Sequence, residues 1–119
     1  MRNYRDLQIW RRSMGLVKTV YVESHSLPNN ERFGLTSQIR RSAVSIPSNI
    51  AEGCSRSSTK EQIRFLEISL GSAFELETQL LISAETEMLS SQKVNSIIKE
   101  LNEIQRMINA YRSSIKYKN

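Results

Sequence analysis

Apolar residues recur at spacings of three and four along nearly the whole 119-residue chain, and no stretch alternates apolar and polar residues as strands do. This period predicts an all-α protein. Breaks in the pattern near Pro28, Gly53 and Ser90 divide the chain into four helices of about 20 to 28 residues. Helices of similar length with short connections predict an up-down four-helix bundle, forming one domain over residues 1–119.

Each predicted helix has one apolar stripe that we assign to the core. The predicted stripes are, in chain order, Leu7, Trp10, Met14, Val17 and Tyr21 on helix one; Leu35, Ile39, Ala43, Ile46 and Ile50 on helix two; Ile63, Leu66, Leu70, Ala73, Leu80 and Ala84 on helix three; and Val94, Ile97, Leu101, Ile104, Ile108, Tyr111 and Ile115 on helix four. These spacings place each set on one side of its helix.

Several residues predict where the helices end or bend. Ser58 with Glu61 three residues later forms a capping box at the start of helix three. Gly53 is a predicted stop for helix two. Within helix two, Pro47 has no N–H for the carbonyl of Ala43, which predicts a kink or break, with Ser42 or Ser45 as the hydroxyl that satisfies the carbonyl.

Two helices have more apolar surface than one stripe needs. The additional residues are Ile9, Leu16 and Val20 on helix one, and Phe65, Ile68, Leu76 and Ile82 together with Gly71 on helix three. A helix in a four-helix monomer has an outer face, so this surface predicts self-association. The alternative is that these are ordinary exposed aliphatic residues.

Composition and charge limit the function classes. The net charge is +5, with 11 basic and 5 acidic residues in 1–64, none and 5 in 65–92, and 6 and 2 in 93–119. This basic excess fits binding to a polyanion, and it also fits solubility alone. No apolar run approaches the roughly 18 residues of a membrane span, and no secretory signal opens the chain, which predicts a cytoplasmic protein without a membrane partner.

Catalytic and metal-binding chemistry is not expected. The chain has one cysteine, Cys54, and one histidine, His25, which excludes an internal disulfide and a Cys/His metal cluster. It has no glycine-rich phosphate loop and no Glu-x-x-His pair. We therefore predict a protein that is not an enzyme and has no cofactor or metal.

Helix two has a polar flank beside its core stripe. It consists of Gln38, Ser42, Ser45, Asn49, Glu52 and Arg56. Short polar side chains of this kind either form a structural seam against a neighbouring helix or line a groove for a ligand.

Glu77 lies in the predicted core stripe of helix three, where an unpaired carboxylate would be costly to desolvate. It therefore needs a cation. We predict a structural ion pair with an arginine of helix two, Arg40 or Arg41, and take Arg41 as the candidate.

Seven basic residues are candidates for contacts with nucleic-acid phosphates: Arg11, Arg12, Arg40, Arg41, Arg56, Lys60 and Arg64. No helix-turn-helix, zinc-finger or RNA-recognition motif is present, so the predicted contacts are to the backbone and not to bases. The alternative is a solvated basic face.

The segment Gln38–Gly53, which reads QIRRSAVSIPSNIAEG, closely resembles the fingerprint of a bacterial family of four-helix bundles, the 23S rRNA intervening sequence proteins. The similarity continues from Asp6-Leu7 to Leu80. It implies a bundle that assembles as a ring, with a pentamer favoured. It also implies kinship with the accessory proteins of diversity-generating retroelements, which bind nucleic acid and a reverse transcriptase.

The residues and the resemblance together favour an oligomeric accessory protein that binds RNA or DNA without sequence specificity. The competing hypothesis is an oligomeric scaffold for another protein, with no role for nucleic acid.

Overall fold

Four α-helices make up most of the described part of the chain. The structure is a computed structural model that describes residues 3–118, with side chains through residue 116. The helices are α1 (Gln8–Glu23), α2 (Leu35–Cys54), α3 (Thr59–Glu85) and α4 (Ser91–Lys118). Short 3₁₀ turns cover Tyr4–Asp6, Ser24–Ser26 and Asn29–Glu31, and residues 3–118 contain no strand. The predicted all-α fold is confirmed.

Contacts between side chains define an antiparallel, up-down order. Each helix packs against its neighbours in the chain and α1 closes the bundle against α4, whereas no Cα atom of α1 lies within 8 Å of a Cα atom of α3. Along α3 and α4, Gln105 contacts Glu77 and Arg112 contacts Glu67, so that higher numbers on one helix meet lower numbers on the other. The bundle measures 47 × 23 × 20 Å.

The helix starts follow the local signals. The Ser58 hydroxyl accepts a hydrogen bond from the Glu61 N–H at 3.1 Å, which caps α3 at the predicted residue. The second bond of the predicted capping box, from the Ser58 N–H to the Glu61 carboxylate, is not formed. At the start of α2, the Glu31 carboxylate accepts from the Leu35 N–H at 3.1 Å, a cap that the sequence analysis missed. Gly34 leaves room for this carboxylate, because an added Cβ would lie 2.8 Å from Glu31 Oε1.

Gly53 has a different role from the predicted helix stop. It is buried and helical, and α2 continues to Cys54. A Cβ at Gly53 would lie 3.1 Å from the Cβ of Phe65, so the missing side chain lets α2 and α3 approach closely.

The core stripes of α2 and α4 are largely confirmed. The buried members of the predicted sets are Ile39, Ala43, Ile46 and Ile50 on α2, and Val94, Ile97, Leu101, Ile104 and Ile108 on α4.

The predicted core stripe of helix one is only partly confirmed. Leu7 is buried, and Trp10 and Val17 are half-buried against the core.

Within α1 the buried apolar residues are Ile9, Leu16 and Val20, whereas Met14 is 44% and Tyr21 40% exposed. The two stripes have the same helical period, so periodicity alone does not choose between them. The buried stripe is purely aliphatic apart from a small serine, Ser13, and the outer one leaves the amphipathic tyrosine partly in water.

On α3, Leu76 is fully buried and belongs to the core, contrary to its assignment to a flank. Ile68 and Ile82 are exposed as predicted, and Phe74 and Leu81 are exposed as well, at 58% and 48%. The outer surface of α3 is therefore more apolar than the sequence analysis indicated.

Helix α2 continues through Pro47 without a break. The Ser45 hydroxyl does not turn to the carbonyl of Ala43 but shares a hydrogen bond of 2.7 Å with Ser72 on α3. The Ser69 hydroxyl, also from α3, donates to the carbonyl oxygen of Ile46 at 2.9 Å. Hydroxyls of α3 thus join α2 at the two residues that directly precede the proline.

The orientation of α1 can be tested by truncating one residue of each stripe. We expect Leu16→Ala to lower the free energy of unfolding by about 2–5 kcal/mol, because it leaves a cavity in the core. We expect Met14→Ala to lower it by much less, because Met14 is partly in water. Urea denaturation followed by circular dichroism measures both, and an equal or larger loss for Met14→Ala would reverse the assignment.

Candidate nucleic-acid interface

Folding concentrates positive charge at one end of the bundle. Because the helices are antiparallel, residues 3–15, 45–72 and 105–116 form one half of its length, which we call the basic half. This half carries nine basic and four acidic side chains, whereas residues 16–44 and 73–104 carry six and eight. Residues 3–15 contribute two of these five positive charges and residues 105–116 contribute three, whereas residues 45–72 carry three basic and three acidic side chains. The excess thus lies where α1 begins and α4 ends.

Arg12 lies in the basic half, but it is held by two carboxylates of α4. Its Nη2 is 2.8 Å from Glu100 Oε1 and 3.3 Å from Glu103 Oε2. The hydrogen bond with Glu100 raises the pKa of Arg12, with the charges of Glu100 and Glu103 adding to it. This arginine links α1 to α4 and is not available as a free phosphate ligand.

Arg40 lies in the other half of the bundle. Its Nε donates to the Ser24 hydroxyl at 2.9 Å, and its guanidinium lies over the Tyr21 ring, 4.8 Å from the centroid. These contacts tie α2 to the end of α1.

Arg56 stacks on Phe65, with the guanidinium carbon 4.7 Å from the ring centroid, and pairs with Glu52 at 3.4 Å. Glu52 and Arg56, two residues of the polar flank of helix two, thus form an i,i+4 ion pair. Arg56 remains 41% exposed, so it can still face an anion at the rim of the basic half.

The four remaining candidates are Arg11, Arg41, Lys60 and Arg64, and all are exposed. None of them forms an ion pair within the described residues. Lys60 and Arg64 line an open groove between α3 and α4 together with Lys116, which the sequence analysis did not single out. Arg41 lies in the other half, so the seven predicted residues do not form one surface.

The position of Lys116 follows from the antiparallel order, which places the end of α4 beside the start of α3. The feature of the sequence that could have indicated Lys116 is the basic excess of residues 93–119. The groove also includes Glu61 and Glu67. Glu67 is partly neutralised because it pairs with Arg112 at 3.1 Å.

The predicted ion pair between Glu77 and Arg41 is wrong. Arg41 is exposed on α2, and Glu77 accepts a hydrogen bond of 3.0 Å from Gln105 Nε2 on α4. Glu77 is only partly buried, so the remaining solvation removes the need for a cation.

The polar flank of α2 is used as a structural seam at its centre. Asn49 Nδ2 donates to the carbonyl and hydroxyl oxygens of Ser45, and the same hydroxyl bonds to Ser72. These contacts consume the hydrogen-bonding groups that a ligand groove would present.

Other kinds of site find little support in the described residues. His25 lies at the end of α1 and Cys54 at the end of α2, which are opposite ends of the bundle. The described residues include no group of three or more histidine, cysteine, aspartate or glutamate side chains placed to hold a metal ion. None of the described helices is long and apolar enough to cross a membrane.

Comparisons with known proteins agree on the fold. Residues 5–110 match the family described as 23S rRNA-intervening sequence protein. A crystal structure of a protein of unknown function from Bacteroides thetaiotaomicron, assigned to the S23 ribosomal protein family, is 27% identical, with a TM-score of 0.81 over 87% of this chain and 97% of that chain. No curated protein matches the chain.

The structural use of Arg12 predicts a loss of stability on its removal. We expect Arg12→Met to lower the free energy of unfolding by about 0.5–1 kcal/mol, the range for partly exposed ion pairs, and by less at high salt. Arg64→Met, which removes an exposed arginine without an ion pair, should change it by less than about 0.5 kcal/mol. Urea denaturation at two salt concentrations measures both.

A double-mutant cycle identifies the partners of Arg12. In a Glu100→Gln, Glu103→Gln background, Arg12→Met should have a smaller effect, because the interaction is already absent. An undiminished effect, or an equal loss for Arg64→Met, would contradict the link between α1 and α4.

Proposed function

This chain belongs to the 23S rRNA-intervening sequence protein family, and we propose that it is a non-enzymatic, oligomeric accessory protein that binds nucleic acid through its basic half. The contacts are made to phosphates and are independent of sequence. The cytoplasm is the compartment that we propose.

The concentration of charge at one end of the bundle is the observation that carries this proposal. Lys60, Arg64 and Lys116 share one groove, and Arg56 lies at the rim of the same half. Flexible cations that are not held in ion pairs can neutralise phosphates and release the counterions condensed on nucleic acid. Without a recognition motif, such contacts position the protein but do not read bases.

Self-association would multiply this charge. The outer face of α3 exposes Phe74 at 58% and Ile82 at 45%, which is unusual for a surface helix and supports contact with another copy. A ring of five copies, as the resemblance implies, would carry a formal charge of about +25 in place of the +5 of one copy. A reverse transcriptase is the protein partner that the same resemblance implies.

A scaffold that binds only another protein is the second candidate. Phe33 favours it, because this side chain is 89% exposed in the turn before α2, with the Arg32 guanidinium carbon 5.3 Å from its ring centroid. An exposed aromatic residue beside an arginine is typical of an anchor in a protein interface.

Nucleic-acid binding predicts a strong dependence on salt. For about six neutralised phosphates on a single strand, the logarithm of the association constant should fall with the logarithm of salt concentration at a slope of about −4. Titration of a fluorescent single-stranded RNA, and of DNA of the same sequence, at several salt concentrations measures the slope. Absence of binding at low salt, or an affinity that ignores salt, would exclude the proposal.

Two variants of equal charge locate the binding surface. Lys60→Gln with Arg64→Gln should weaken binding and make the slope shallower by roughly one for each phosphate that is no longer neutralised. The matched control, Arg41→Gln with Lys99→Gln, removes the same charge from the other half and should have a smaller effect. Equal weakening by both variants would show that net charge, and not the basic half, determines binding.

Co-purification distinguishes the two candidate functions. Under the nucleic-acid proposal, material retained by the protein from its native cell should be released by nuclease treatment. A protein partner that remains after nuclease, and is released by Phe33→Ala, would instead favour the scaffold.

A further inference from the structure

The outer face of α1 combines apolar side chains with positive charge. Met14, Tyr21 and Val22 are 44%, 40% and 58% exposed. Arg11 and Lys18 lie among them, seven residues apart and hence on one side of the helix. The stretch from Gln8 to Val22 contains no acidic residue.

The outer face of α3 combines apolar side chains with negative charge. Between Ile68 and Ile82 it exposes those two residues together with Phe74 and Leu81, each by 40% to 58%. Glu75 and Glu85 are also exposed and form no ion pair within the described residues. Residues 65–92 contain no lysine or arginine.

Each face has an open glycine near its middle. A Cβ at Gly15 on α1 or at Gly71 on α3 would have no other atom within 4 Å, apart from the backbone of its own helix. Glycine is less favourable than alanine inside a helix, and it is useful where another backbone comes close. Within one copy, no backbone does so at either position.

The two outer faces cannot meet within one copy, because α1 and α3 lie at opposite corners of the bundle and have no Cα atoms within 8 Å of each other. Contact of the α1 face with the α1 face of another copy would place Lys18 and Arg11 opposite the same cations and cause repulsion. Contact between two α3 faces would oppose Glu75 and Glu85 to carboxylates. Opposite charge therefore favours contact between the α1 face of one copy and the α3 face of a second copy.

We propose that the outer face of α1 in one copy packs on the outer face of α3 in the next, a head-to-tail contact between two different surfaces. This inference rests on the oligomeric part of the proposed function and specifies its interface. A contact of this kind leaves an unused α1 face at one end and an unused α3 face at the other. It therefore continues from copy to copy, and the rotation between successive copies decides whether the assembly closes as a ring or extends as a filament.

The contact leaves uncovered the groove lined by Lys60, Arg64 and Lys116, whereas it uses Arg11 and so removes that residue from the candidate phosphate ligands. Lys60 and Arg64 lie in the first turns of α3, whereas Phe74, Leu81 and Ile82 lie in its later turns. Packing against the later turns keeps the groove at the start of α3 open to solvent.

Charge reversal tests the contact. Arg11→Glu with Lys18→Glu changes the α1 face, and Glu75→Lys with Glu85→Lys changes the α3 face. Each pair should reduce the light-scattering mass of nuclease-treated protein toward the monomer mass of 13.7 kDa. The chain with all four changes should regain the wild-type mass, since the reversed faces again attract. Lys99→Glu, an exposed change on α4, is the control and should retain the wild-type mass.

Three outcomes would overturn the proposal: a monomeric wild type, loss of assembly in only one of the two paired variants, or no recovery in the combined variant. Because nucleic acid is absent, these results are independent of RNA binding. RNA binding can fail while the contact stands, and the contact can fail while a monomer still binds RNA.

Cross-linking provides a second measurement that does not depend on charge. In a Cys54→Ser background, protein with Lys18→Cys is mixed with protein with Glu75→Cys and treated with a short bismaleimide. The proposal predicts a cross-linked dimer only in the mixture. Dimers formed equally well by either protein alone would instead indicate contact between like faces.

Discussion

The close packing of α2 against α3 is the constraint on which the rest of the bundle depends. Ser45 and Ser72 share a hydrogen bond, Ser69 donates to the backbone beside Pro47, and Gly53 leaves the space that brings the two helices together. Short side chains permit this approach, and bonded hydroxyls avoid the penalty for burying unpaired polar groups. The segment that is most distinctive in the sequence is therefore used mainly inside the protein.

Helices α1 and α4 complete the core, and charged contacts connect their edges. Arg12 bridges α1 to two glutamates of α4, and Arg112 joins α4 to Glu67 on α3. Since these pairs are partly exposed, each adds little to the free energy of unfolding. Buried aliphatic residues supply most of the stability, and the ion pairs remove particular arginines from the set that a ligand could reach.

The surface that remains is divided by chemistry along α3. Its first turns carry Lys60 and Arg64, and its later turns carry carboxylates and exposed apolar residues. One helix can therefore contribute both to a phosphate-binding end and to a self-association face. The outer side of α1 has the opposite charge to those later turns. Self-association through these two faces would therefore leave the first turns of α3 open for phosphate binding.

The sequence by itself determined the four helices, the cap at Ser58 and the buried stripe of α4, because helical hydrogen bonds and caps join residues within about four positions. Of the nine basic residues in the basic half, it singled out five. Only the tertiary structure decided which of two equally periodic stripes on α1 is buried, and it gave Glu77 an amide partner in place of an arginine. It likewise removed Arg12 from the candidate phosphate ligands, because Arg12 pairs with carboxylates that lie 88 and 91 residues away in the chain. Such choices depend on which distant segments the packing brings together, and no local pattern encodes them.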